Sequence, residues 1–373
     1  MKGHPERQPQ LFYPLDLEQM VPADHPLRPL KRRVDAELAG MRRAFAAAYS
    51  PTGRPSIPPE QLIKATLLQA LHSIRSERQL CEQIQYNMLY RWFLDMAPDT
   101  AVWDHSSFTT NRERFAEHDL LGQFFRGSVA QGIREGRVSA EHFSVDGTLI
   151  QAWASMKSFR PKDPDQGDPP TPDGGSNRWV NWRGEKRSND THESRTDPEA
   201  RLFRKGNGQS AVLAHMGHVL MENRNGLVVE LAVTRADGLA EREAAKTMLE
   251  RAGRIKGLHP ATLGADTGYG DGEFLWELEH ELKVQPHIPP REVPQVIDDP
   301  YSWARWQAHR RRAEPGYGMS QRIRKCIEEI FGWLKTTAGA GKARFVGRWK
   351  IRDYLYGAAA IWNLMRLSKL AAA

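Results

Sequence analysis

Between His142 and Leu282 the sequence sets out an order of elements that few architectures can accept. Its first strand-like run is HFSVDGTLIQAWAS, in which Phe143, Val145, Thr148 and Ile150 surround Asp146 with β-branched and aromatic residues. Ala211 to Leu220 and Gly226 to Val233 are also strand-like, joined by the turn Asn223-Arg224-Asn225-Gly226. Leu239 to Ile255 reads as a helix, with Asp237 placed to cap it. The run ATLGAD then ends on Asp266, and a helix from Glu273 to Leu282 follows the Gly-rich turn TGYGDG.

The order is therefore β–β–β–α–β–α, with acids on the first and fourth strands. That order matches a ribonuclease-H-like α/β fold. A third acid, Glu328, lies in QRIRKCIEEIFGWLK, whose apolar residues recur at helical spacing. A strand, a strand end and a helix can bring three carboxylates to one point. Their repulsion would cost on the order of 4 kcal/mol per pair, at roughly 4 Å and an effective dielectric of about 20. Folding offers nothing to offset that, whereas divalent cations would. Clustered carboxylates holding Mg²⁺ are what in-line phosphodiester chemistry requires.

Each acid has a rival or a plainer role. Asp146 precedes Gly147 and could be a turn residue, but strand formers flank it on both sides. Asp271, before Gly272-Glu273-Phe274, is the better helix cap, which leaves Asp266 for the site. On a helix Glu329 points about 100° away from Glu328. Arg324, Glu328 and Lys335 fall along one side, beside the apolar stripe Ile323, Ile327, Phe331 and Leu334.

These residues carry a resemblance. The chain is similar to bacterial insertion-sequence transposases of the DDE type, in the broad group of the IS5 and IS4 families. The similarity runs from FYPLDLEQMVPADHPLRPLKRRVD to YLYGAAAIWNLMRL and includes RSNDTHESRTDPEARLFRKG, GHVLMENRNGLVVE and EEIFGWLKTTAGAGKARF. The family signature is a Tyr, Arg, Glu, Lys series, with Arg four residues before Glu and Lys seven after it. Arg324, Glu328 and Lys335 match, and Gln321 stands at the Tyr position.

The resemblance implies a ribonuclease-H-like catalytic core with an all-helical N-terminal domain. It implies that Asp146, Asp266 and Glu328 are catalytic and hold two Mg²⁺ ions, with Mn²⁺ able to substitute. Arg324 and Lys335, with Arg322 and Lys325, would contact DNA. The partners implied are double-stranded DNA, as the element's terminal inverted repeats and as target, and further copies of the chain assembled on it. The reaction implied is strand cleavage followed by strand transfer. Two other classes stay open on the residues alone: a nuclease of the same fold that does not join strands, and a non-catalytic DNA-binding regulator. Retention of all three acids disfavours the regulator.

The first third reads as helical. SIPPEQLIKATLLQALHSI starts with Ser56 and Pro58-Pro59, then places Leu62, Leu67, Leu68 and Leu71 on one side. Ser76-Glu77-Arg78-Gln79 is a capping-box pattern ahead of Leu80, Ile84 and Met88. Asp104 or Ser106 should cap a helix through Phe108, Arg112 and Phe115. We expect a helical domain over 1–118, suited to binding DNA ends or simply to packing, then a bridging helix over 119–136. The catalytic domain should span 137–372, interrupted at about 157–200 by a segment rich in Pro, Asp and Gly with no assigned secondary structure.

Composition narrows the setting. A length of 373 residues allows two or three domains. No stretch of about 18 apolar residues exists, which argues against a membrane span. The start MKGHPERQPQ lacks the apolar core of a secretory signal. Cys81 and Cys326 are the only cysteines, too few for a disulfide framework, so a reducing cytoplasm is expected; the resemblance implies that it is a bacterial one, at the nucleoid. Net charge is +7, yet Arg305 to Arg352 alone holds 13 Lys or Arg against three acids. Positive charge concentrated around Glu328 suits a cleft for a polyanion. His215 and His218 lack the partner spacing of a zinc site and read as core residues. Trp179 and Trp182, in the polar segment, could stack on bases.

Overall fold

The computed structural model describes residues 15–53, 55–162, 187–204 and 210–372. Trp179 and Trp182 lie outside them, as does most of the polar segment. Seven helices come first: α1 (Leu17–Met20), α2 (Leu27–Gly40), α3 (Arg42–Ala48), α4 (Pro59–Leu71), α5 (Glu77–Tyr86), α6 (Met88–Phe93) and α7 (Ser106–Glu117). Leu62, Ile63, Leu67 and Leu68 of α4 are buried to 1% exposure or less. Each such burial contributes about 1.5–3 kcal/mol. Ser76 caps α5 by accepting from the Gln79 N–H at 3.1 Å. The reciprocal half of the expected capping box shifts by one residue, because the Gln79 side chain accepts from Arg75 N instead of Ser76 N. Asp104 accepts from Ser106 N at 2.8 Å and so starts α7.

Helix α8 (Leu120–Arg134) leads into the sheet. The strands are β1 (His142–Gln151), β2 (Phe159–Pro161), β3 (His192–Ser194), β4 (Arg201–Phe203), β5 (Val212–Glu222) and β6 (Leu227–Arg235). After helix α9 (Ala240–Lys256) come β7 (Thr262–Gly264), helix α10 (Gly272–His280) and β8 (Gln285–His287). Strand β1 runs antiparallel to β5, and β5 antiparallel to β6 across a turn in which Gly226 takes φ +65°. Strand β7 lies parallel to β1, and β8 parallel to β7. The spatial order β6-β5-β1-β7-β8, with β4 pairing beside the start of β5, is the ribonuclease-H-like arrangement. Mixed α/β architecture with a helical N-terminal region is thus observed.

The polar segment is not wholly irregular. Strand β2 pairs with β3 inside it, and β4, just past its end, pairs with β5 at Leu202↔Leu213. Strands of three residues are too short to show an alternating period, which is why the sequence hides them.

Sheet faces are set by two glycines. A Cβ on Gly147 would meet Glu241 of α9, whereas one on Gly217 would meet Ile150 and Leu355. Gly147 pairs with His218, and Gly217 with Thr148, so α9 and the final helix cover opposite faces. That helix, α14 (Arg348–Ala372), packs on α8, β6, α2 and α4. Its buried Asn363 accepts from Val228 N at 2.8 Å and donates to Val228 O at 2.8 Å, fastening α14 to β6. Among the described residues no helix is long and apolar enough to cross a membrane.

One expectation fails here. The run from Gln321 to Lys335 is not a single helix. After α11 (Pro300–Arg311) it divides into α12 (Tyr317–Arg324) and α13 (Ile327–Thr336). At the joint the bonds tighten to a spacing of three residues: Cys326 N donates to Ile323 O at 2.8 Å and Glu328 N to Lys325 O at 3.0 Å. Arg324 therefore ends one helix, while Glu328 and Lys335 belong to the next.

Candidate active site

Parallel pairing of β1 with β7 runs through His142↔Thr262, Phe143↔Leu263 and Ser144↔Gly264. Asp146 and Asp266 each lie two residues beyond the last pair of this register, and the charges of both act on Glu241. Strand β7 stops at Gly264, whereas β1 continues to Gln151, so an opening forms beside Asp146. Each aspartate is oriented by a glycine amide. Asp146 Oδ1 accepts from Gly147 N, and Asp266 Oδ1 from Gly268 N, both at 2.8 Å. Asp266 thereby caps the 3₁₀ turn Thr267–Tyr269. Asp271, its rival, caps α10 through Glu273 N at 3.2 Å, as expected from the sequence.

The turn after Asp266 is held tightly. Arg291 donates from Nη2 to Gly268 O at 2.6 Å and from its main-chain N to Gly270 O at 2.9 Å. A Cβ on Gly270 would stand 2.1 Å from Pro289 O, so only glycine fits. Tyr269, at the end of the turn, is fully buried, and its hydroxyl has no hydrogen-bond partner among the described residues.

A further acid approaches the glycines that follow Asp146 and Asp266. Glu241, in the first turn of α9, is half-buried, and its Oε1 lies 2.8 Å from where a Gly147 Cβ would be. Its Oε2 is 3.7 Å from the corresponding point on Gly268. Burial, then the charges of Asp266 and Asp146, raise the Glu241 carboxyl above its ordinary value. Burial pushes the Tyr269 phenol well up, and Glu241, Asp146 and Asp266 add to the effect while Arg324 opposes it. A first-turn glutamate normally reads as helix-dipole compensation, so nothing local in the sequence marks Glu241. Its role is visible only once α9 is placed over Gly147.

Glu328 stands apart. It is exposed in the first turn of α13, without a hydrogen-bond or ion-pair partner among the described residues. Glu329 is exposed too, 3.8 Å from Arg366, which fits its expected surface role. Arg324 is half-buried, its Nε is buried without a partner among the described residues, and its charge acts on Tyr269. Arg322 and Lys325 are exposed, and Lys335 is half-buried on α13. Gln321, at the signature's Tyr position, donates to Ala265 O at 3.2 Å and to His287 O, tying α12 to the ends of β7 and β8.

The basic segment is partly spent on structure. Arg311 pairs with Glu279, and Arg348 with Glu199 at 2.7 Å, while Arg344 donates to Ile74 O at 2.7 Å. His215 is a core residue bonded to buried Asp197 at 3.0 Å, and His218 bonds Thr234 at 2.8 Å. Both cysteines are free.

Comparison with known families decides what this fold belongs to. Residues 15–114 match a transposase domain family (DUF772), and residues 186–364 match the transposase DDE domain. The chain belongs to the DDE transposases. Asp266 and Glu328 fall within the DDE match, while Asp146 falls between the two matched segments. No curated protein matches the chain. Among solved structures this transposase is similar to the Mos1 transposase paired-end complex with left transposon end, at 11% identity over 82% of this chain and 86% of that one, with a TM-score of 0.21. It is similar to the Mos1 mariner paired end complex with Mn at 12% identity, over 85% and 88%, with a TM-score of 0.20. Likeness that slight carries no weight beside the strand order and the family matches.

DDE transposases use divalent metal ions. Among the described residues no three Asp, Glu, His or Cys side chains are grouped to enclose one ion. Magnesium rarely needs that, since one or two carboxylates suffice when substrate phosphates complete its shell. Asp146 and Asp266, each two residues beyond the β1–β7 register and both acting on Tyr269, are hard oxygen donors that fit such an ion.

Proposed function

We propose that this transposase, of the IS5 and IS4 type, cuts at the terminal inverted repeats of its own element through Asp146, Asp266 and Glu328, with Mg²⁺ as the working ion. The parallel β1–β7 register that ends two residues before both Asp146 and Asp266, with both charges acting on Glu241 and Tyr269, supports this reading. Divalent ions bound there would acidify the attacking water and stabilise the leaving 3′ oxygen. The protein's own part is positional. The Gly147 and Gly268 amides fix the two aspartates, and the Arg291 clamp keeps the turn after Asp266 from moving. Arg324, fixed by Gln321 one turn earlier, offers a guanidinium for a phosphate near the cut. Lys335 and exposed Arg322 and Lys325 extend that contact along the backbone. Glu328 starts α13, which packs on β1, and DNA seated on α12 would bring it to the opening.

Residues 1–118 would engage the element's ends, with 119–136 as the bridge and 137–372 as the catalytic part. Pairing two ends requires more than one copy of the chain on the DNA, in the bacterial cytoplasm at the nucleoid. Asp146→Asn and Asp266→Asn test the assignment, because the amide keeps shape and removes the charge. Both should bind an end-bearing duplex like the parent and cut it at least a thousandfold more slowly. Cleavage near the parental rate by either variant would overturn that residue's role.

A further inference from the structure

We infer that Glu241 is a further carboxylate facing the divalent cation held by Asp146 and Asp266, supplied from α9 on the side of the opening away from α13. The inference rests on the reading of those two aspartates given above. Three observations carry it. The Glu241 carboxylate lies against the glycine that follows each aspartate, with Oε1 2.8 Å from the Cβ position of Gly147 and Oε2 3.7 Å from that of Gly268. Those glycines are also the amides that orient Asp146 and Asp266, so the absence of two side chains both aims the aspartates and admits Glu241. Third, the fully buried Tyr269 hydroxyl, without a hydrogen-bond partner among the described residues, lies within reach of the charges of all three acids. A buried hydroxyl left unbonded beside three negative charges calls for a polar partner that the protein itself does not supply among the described residues.

A plain helix-dipole role does not account for this placement. A glutamate serving only the dipole would turn to solvent, as Glu243 does in the same first turn. Glu241 instead turns inward, where burial and the charges of Asp266 and Asp146 oppose its ionised form. Arg242 and Arg291 offset only part of that, so its carboxyl stays above its ordinary value. A bound cation would favour the arrangement further.

The test uses the full chain without DNA and measures Mn²⁺ binding by electron paramagnetic resonance, together with the thermal shift that Mn²⁺ produces. Glu241→Gln should bind Mn²⁺ at least tenfold more weakly than the parent, and its metal-free melting temperature should match or exceed the parent's. Gly147→Ala is the second variant, because its Cβ displaces the Glu241 carboxylate without removing a charge; it should weaken binding in the same direction. If Asp146→Asn and Asp266→Asn weaken binding while Glu241→Gln stays within twofold of the parent, Glu241 is structural and the inference falls alone. If the parent binds no Mn²⁺, or the aspartate variants bind it normally, the inference falls together with the site reading beneath it.

Discussion

The side-chain amide of Gln321 donates to the main-chain carbonyl of Ala265, 3.2 Å away and one residue before Asp266. The same nitrogen reaches His287 O, so one side chain closes the ends of two parallel strands against α12. Removing it by Gln321→Ala should cost about 1–3 kcal/mol, by leaving both carbonyls unmet. Arg324 would lose its anchor, and single-turnover cleavage should fall about ten- to a hundredfold with end-binding little changed. Unaltered cleavage would show that α12 is held by other means.

Glu328 and Glu329 are adjacent and both exposed, which makes them a clean pair. Glu328→Gln should abolish Mg²⁺-dependent cleavage at saturating protein. Glu329→Gln removes only a surface pairing with Arg366, worth a few tenths of a kcal/mol at about the usual value for exposed pairs, and should cut nearly normally. A dead Glu329 variant beside an active Glu328 variant would put the third acid one position on.

Arg322 and Lys325 are exposed and without ion-pair partners among the described residues. Replacing both with Ala should reduce the slope of log affinity against log salt by about 2, roughly one per lost phosphate contact on duplex DNA. An unchanged slope in a filter-binding titration would send the DNA along another path.

Gly270→Ala would drive a Cβ into Pro289 O and the Arg291 main chain, neither of which can swing aside. Overpacking against backbone costs about 1–3 kcal/mol or more. Thermal unfolding should show that loss, and cleavage should fall with it because Asp266 opens the same turn.

Asp353, buried in α14, has its carboxyl pushed up to about 6 by burial, against the pull of Arg352. Its folded form holds a proton more tightly than its unfolded form. Stability should therefore be highest below about pH 4 on this account, decline as pH rises to about 6, and then level off. Asp353→Asn should stabilise the protein at pH 7 by about 1–2 kcal/mol, with no gain at pH 4. Melting curves at the two pH values check the sign.

Local chemistry made much of the fold legible. Asp237 caps α9 through Leu239 N and Ala240 N, Asp271 caps α10, and the strand order followed from short runs of β-formers. These are interactions within a few residues, and composition records them. The joint at Lys325 and Cys326 escaped, because apolar residues keep their helical spacing straight across it and neither residue is a helix breaker. Glu241 escaped for a different reason. Its significance lies in a contact with Gly147, 94 positions earlier, which no local pattern encodes.

Helix α14 fixes the order in which this protein can become active. It lies against α2, α4, α7, α8 and β6, so elements made early depend on one made after all of them. While the ribosome is still producing residues before Arg348, the helices around Leu62 and the sheet around Asp146 lack their common support. Contacts spanning more than 300 residues form slowly, because a long loop must close before they are made. A frameshift or a premature stop before α14 would yield a polypeptide carrying both aspartates and no assembled site.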